Sequence, residues 1–122
     1  MRLTFQVPVP DPLLNPNRRG PDFLKRQARR VAKQLMRAEV ERVLADKALV
    51  PPKWARVRCT MSLFYLTQVW DEDNLIAATK PHRDVLQELG VIQNDRHLHF
   101  GEMQRVQVER MPRVEITIEP EQ

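Results

Sequence analysis

The chain has 122 residues and a mass of 14.4 kDa; 30% of its residues are charged, and the net charge is +4. That length fits one domain, residues 1–122, with enough chain for one core. It offers no run of about 18 apolar residues that could span a membrane, and its first residues alternate like a strand instead of forming a secretory leader. Cys59 is the only cysteine, which excludes an intrachain disulfide and suits a reducing cytoplasm.

Residues 2–9 alternate, with Leu3, Phe5, Val7 and Val9 on one side and Arg2, Thr4 and Gln6 on the other: a half-buried strand. Pro8, Pro10, Pro12, Pro16, Gly20 and Pro21 then make a stiff loop that carries Asn15, Asn17, Arg18 and Arg19. A long helix is predicted over residues 22–48, with Asp22 as N-cap and Pro51-Pro52 beyond its end. Leu24, Ala28, Val31, Leu35 and Ala38 form an apolar stripe along it, flanked by Lys25, Arg26, Arg29, Arg30, Lys33 and Arg37. This stripe suits packing on the helix's own sheet and suits a dimer contact equally well.

Residues 55–66 alternate again and become apolar on both sides near Phe64, as in a central strand. Cys59 falls on the apolar phase, where a buried structural thiol is expected. The pattern runs on toward Val69-Trp70 and meets Asp71-Glu72-Asp73-Asn74. A second helix is predicted over residues 74–89, with Asp73 as N-cap, Gly90 just past its end, and Pro81 placed to kink or restart it. Asn94-Asp95 forms a turn, and Val106-Val108 and Val114-Ile118 read as two antiparallel strands around Met111-Pro112. The whole is a mixed α/β or α+β domain: a small antiparallel or mixed sheet with two main helices.

The charge is unevenly spread. Residues 18–58 hold 13 bases against 4 acids, or +9, and the rest holds 7 against 12, or −5. A basic helix face can be merely solvated, but a phosphate backbone is the common partner of such a stripe. Asp71 and Asp73, two apart at a strand end, can point the same way. Asp95 can join them if its loop folds back. Clustered carboxylates repel one another unless they hold a hard cation or share a proton. Asp73 and Asp95 equally suit a cap and a polar turn. Lys80, two turns after Asp73, can pair with an acid or face a phosphate.

From Asp71 to Asp95 the chain resembles the RusA family of Holliday junction resolvases. The matching features are Asp71-Glu72-Asp73-Asn74, Lys80-Pro81, the helix around Asp84-Val85-Leu86, and Gly90-Val91 leading to Asn94-Asp95. Pro12 to Arg19 faintly resembles the family's loop after the first strand. The resemblance implies a homodimeric endonuclease that binds four-way DNA junctions and cuts two strands symmetrically with Mg²⁺ or Mn²⁺. It further implies that Asp71, Asp73 and Asp95 bind the metal and that Lys80 is the active-site lysine. The gap from the Asp-Asn to the lysine is longer than in the shortest members, Asn94 replaces the first acid of an aspartate pair, and Trp70 stands where a base often precedes the motif. On this reading Arg18, Arg19, Lys25, Arg26, Arg29, Arg30 and Lys33 position the DNA backbone. The alternative is a non-catalytic, basic, dimeric DNA-binding protein whose acids are caps. His82, His97 and His99 are expected to be ordinary histidines, and Trp54, Trp70, Phe64 and Phe100 core residues in preference to stacking platforms.

Overall fold

Alternating burial marks the three longer strands of a mixed sheet of five segments. In the computed structural model, which describes residues 1–121, these are β1 (Leu3–Pro8), β2 (Val57–Tyr65), β3 (Leu98–Phe100), β4 (Gln104–Gln107) and β5 (Arg113–Pro120). The order is β1-β5-β2, and β3 and β4 share the far edge of β2. β5 is antiparallel to both neighbours, with Ile116 opposite Phe5 on one side and Met61 on the other. β3 and β4 run parallel to β2. Leu3, Phe5, Val7, Cys59, Met61, Leu63, Val114, Ile116 and Ile118 are fully or almost fully buried at every second position. That is the period of a strand with one face in the core.

The C-terminal strands therefore do not pair with each other. β4 and β5 are opposed in direction, but β2 lies between them. The β2–β3 connection is a crossover through two helices, as parallel neighbours require.

Helix α1 (Asp22–Asp46) buries Ala28, Ala32, Met36, Val40 and Val43. The predicted stripe shares only Ala28 with this face; Val31 and Leu35 are each 45% exposed. The helix has two adjacent apolar rows. The buried row lies one residue on, about 100° round the helix, and its alanines permit close approach to the neighbouring helix. Pro21, not Asp22, occupies the N-cap position, and it makes no side-chain cap bond.

The second predicted helix is two: α2 (Glu72–Ala78) and α3 (Lys80–Glu88), divided at Thr79. Pro81 sits in the first turn of α3, where its missing N–H costs nothing. Thr79 Oγ1 donates to the Leu75 and Ile76 carbonyls at 2.9 and 3.1 Å and so closes the end of α2. At the end of α3, Gly90 takes φ +76°, its N–H donates to Gln87 O, and Val91 N–H donates to Leu86 O. This pair of bonds reverses the chain. No helix among the described residues is long and apolar enough to cross a membrane.

Candidate functional site

Lys80, Asp84 and Gln87 share one face of α3, at spacings of four and three. Lys80 Nζ donates to Asp84 Oδ1 at 2.6 Å and also to Asp95 Oδ2. The Asp95 backbone N–H donates to Gln87 Oε1 at 3.3 Å. The chain returns to this face by the Gly90 turn and by a clip on the segment before β2. There Trp54 N–H donates to Val91 O at 3.0 Å, and Gln93 N–H donates to Trp54 O at 2.9 Å. Asn94 then caps a 3-10 turn at Asp95–His97, its Oδ1 accepting from Arg96 N–H at 2.9 Å. The asparagine at that position is thus committed to the turn. The hydrogen bond from Lys80 holds the Asp95 carboxyl below its usual range. Hydrogen bonds to Asp84 first, and then to Asp95, raise the Lys80 ammonium above its own.

Beneath this pair lies Arg83, which sequence reasoning missed. Only 8% of it is exposed. One guanidinium nitrogen donates to Ile76 O at 2.7 Å and to Thr79 Oγ1 at 2.8 Å, and the group sits 5.1 Å over the Phe100 ring. Burial lowers its pKa, while Cys59, Asp84 and Asp95 act in the opposite direction. The signal was present: Arg83 is the one permanently charged residue in the run Pro81, His82, Arg83, Val85 and Leu86 that α3 buries. Lys80, Arg83, Asp84 and Asp95 together make two cations and two anions in balance. Cys59 is fully buried as expected, its thiol pushed up to about 12 by that burial.

Asp71 and Asp73 lie at the start of α2, and among the described residues neither is joined to Lys80 or Asp95 by a hydrogen bond or ion pair. The strand ends at Tyr65, Asp71 takes the N-cap position of α2 without a side-chain cap bond, and Glu72 and Asp73 fill the first turn. Asp73 is therefore not the cap, and the extended-backbone argument for aligning it with Asp71 does not hold. Thr79 divides α2 from α3 between Asp73 and Lys80, yet its N–H still donates to Leu75 O and its carbonyl accepts from Arg83 N–H, and Ala77, one turn after Asp73, lines the same groove as Lys80. Arg105, opposite Leu63, donates to the carbonyl of Trp70 beside Asp71. Asp95 leads into Leu98, opposite Val57. Among the described residues, no three His, Cys, Asp or Glu side chains are gathered to hold a metal ion. Carboxylate oxygens are the right donors for Mg²⁺ or Mn²⁺, but this arrangement does not present them together, and Asp95 is already occupied by an ammonium.

Lys80 also lines a groove of about 770 Å³. Lys25, Arg26, Arg29, Arg30, Lys33 and Arg37 of α1 form one wall; Leu13, Leu14, Asn15 and Pro16 of the first loop and Ala77, Lys80, Pro81 and Asp84 of the α2–α3 corner complete it. Seven cations face one carboxylate there. Lys33 and Arg37 are partly neutralised by Glu88, at 2.8 and 2.9 Å. Asn15 also borders a smaller hollow with Arg18, Gln68 and Trp70, which carries the basic surface toward the start of α2. Arg19 is exposed on the same loop. Trp70 is buried, whereas Phe100 is 39% exposed beneath Arg83. His82 is buried, and His99 Nδ1 lies 2.8 Å from Glu121. No protein-family model matches the chain, and no curated protein matches its sequence.

Proposed function

We propose that this protein binds branched DNA in the groove between α1 and the α2–α3 corner and acts there as a RusA-like junction endonuclease. The observation that carries this reading is the meeting of two features in one groove: the cationic wall of α1 and the only lysine of α3, itself paired to Asp95. A wall of guanidinium and ammonium groups suits phosphates and carries little sequence information. Lys80 at its edge is suited to offset charge on a phosphate. Asp71, Asp73 and Asp95 are the residues proposed to bind Mg²⁺ or Mn²⁺. Activity in EDTA would count against that assignment.

The proposed active form is a homodimer, which matches the two-fold arrangement of cuts in a four-way junction. Phe23, Val31 and Leu35 support it: they are 61, 45 and 45% exposed on one side of α1. Large apolar side chains left in water on one helix face are what a second subunit covers.

A non-catalytic DNA-binding role is the second reading. It is favoured by the lack, among the described residues, of three His, Cys, Asp or Glu side chains gathered for a metal ion and by the charge balance around Lys80. One experiment distinguishes them. A labelled four-way junction and a linear duplex of equal length are incubated with the protein in Ca²⁺ to measure binding, then in Mg²⁺ to measure cutting, beside Asp95→Asn. Junction-selective binding with symmetric cuts, lost in the variant while binding persists, supports the endonuclease. Binding with no cutting in Mg²⁺ or Mn²⁺ supports the second reading.

A further inference from the structure

We infer that the groove between α1 and the α2–α3 corner holds an unpaired nucleotide of DNA, its base on an apolar floor and its phosphates on the α1 cations. This rests on the reading that the groove binds DNA, and it adds which part of the DNA enters.

The lining carries two chemistries. Lys25, Arg26, Arg29 and Arg30 line the groove with no carboxylate partner among the described residues. Leu13, Leu14, Pro16, Ala77 and Pro81 line it too, and they are wholly apolar. A duplex offers a protein its phosphates and sugars and keeps the faces of its bases stacked inside, so an apolar floor gains nothing from it. An unstacked base has a flat face to rest on such a floor. The size agrees. A groove of about 770 Å³ is on the scale of a site that encloses a small molecule. It admits a base and its sugar, whereas a duplex rides on the rim.

The loop side is built before any ligand arrives. Asp11 Oδ1 accepts from Leu13 N–H at 2.9 Å at the head of the 3-10 turn Pro12–Leu14. Asn15 N–H closes on Pro12 O at 3.0 Å, and Arg18 N–H donates to Asn15 O at 2.9 Å. Gly20 then passes close to Leu13: a Cβ there would lie 2.9 Å from Leu13 Cδ2. A floor held by consecutive turns costs little ordering on binding. Asn15 supplies the polar contact. Its Oδ1 accepts from Asn17 N–H at 2.9 Å, so the side chain keeps its NH₂ group for the groove and for the hollow beside Trp70, both of which it lines. An amide donor suits the oxygen and ring-nitrogen acceptors of a base edge, which pairing occupies in a duplex. Arg18 lines that same hollow and gives the next phosphate a cation on the way to α2.

The test uses the full chain, in Ca²⁺ and at one ionic strength. Fluorescence anisotropy follows the binding of a short thymine strand, of a sugar–phosphate strand of the same length without bases, and of a four-way junction. The proteins are the wild type, Asn15→Ala and Arg29→Ala, with thermal melts to check folding. The first two strands carry the same phosphates, so the difference between them reads the bases alone. The wild type binds the thymine strand about fivefold tighter or more, the low end of what one base gains on an aromatic platform. Asn15→Ala cuts that preference roughly two- to threefold, the lower end for one neutral hydrogen bond. Arg29→Ala weakens both strands by the same factor, as a phosphate contact does. Equal binding of the two strands by the wild type, or a preference unchanged in Asn15→Ala, overturns the base site and leaves the DNA-binding reading standing. So does binding of the junction with no binding of either strand. Binding of none of the three overturns both.

Discussion

Replacing His82 with leucine should remove a specific part of this protein's acid sensitivity. His82 is 2% exposed, and its Nδ1 has no hydrogen-bond partner. Burial pushes the imidazole down from 6.5 to about 4, and the Arg83 charge beside it acts in the same direction. The unfolded chain takes up a proton as the pH falls through 6.5, while the folded chain refuses it until about pH 4. Stability therefore falls as pH falls across that window, and the contribution is fully lost below it. The full gap corresponds to about 3 kcal/mol, of which about 2 kcal/mol is lost by pH 5. That is a large share of the ~5–15 kcal/mol that holds a domain of this kind. The loss bears on function because His82 lies in α3, between the lysine of the groove and the buried arginine. Urea unfolding at pH 7 and pH 5 measures it. The wild type should lose about 2 kcal/mol more than His82→Leu between the two values. The carboxyl groups held low by partners, Glu39, Glu88 and Asp95, titrate at lower pH and are common to both proteins. Equal losses in the two proteins would refute the reasoning.

Arg83→Ala deletes two hydrogen bonds and the Phe100 contact from a buried site. It should cost about 2–3 kcal/mol in thermal or urea unfolding, and a loss near zero would show that the guanidinium does not hold the α2–α3 corner together. Leu35→Glu should convert a dimer to a monomer in light scattering with little change in the melting temperature, since that side chain is already 45% exposed; a monomeric wild type would disprove the α1 contact. Arg29 and Arg30 line the groove without a salt-bridge partner among the described residues. Substituting both with alanine should lower the salt dependence of DNA binding by about two units of log–log slope. An unchanged slope would place the phosphates elsewhere.

Local chemistry made much of the fold legible. Leu3, Phe5 and Val7, and likewise Cys59, Met61 and Leu63, announce strands because successive side chains of an extended chain face opposite ways. Pro81 announces a helix restart because it has no N–H to give, and Gly90 a reversal because its φ of +76° is strained for residues with a Cβ. β3 and β4 were harder to read. They have three and four residues, and β4 is exposed throughout, so neither carries a burial period.

The residue types at the candidate site were readable too: a basic stretch, Lys80, and acids before and after the crossover. Their partners were not. Tertiary structure decided that β2 separates β4 from β5, that α1 buries Ala32 and Met36 instead of Val31 and Leu35, and that Asp95 meets Lys80. Periodicity and capping act over a few residues and are written in the order of the chain. Which surfaces then meet depends on how a sheet and three helices share one core, and that sets the distance between charges remote in sequence.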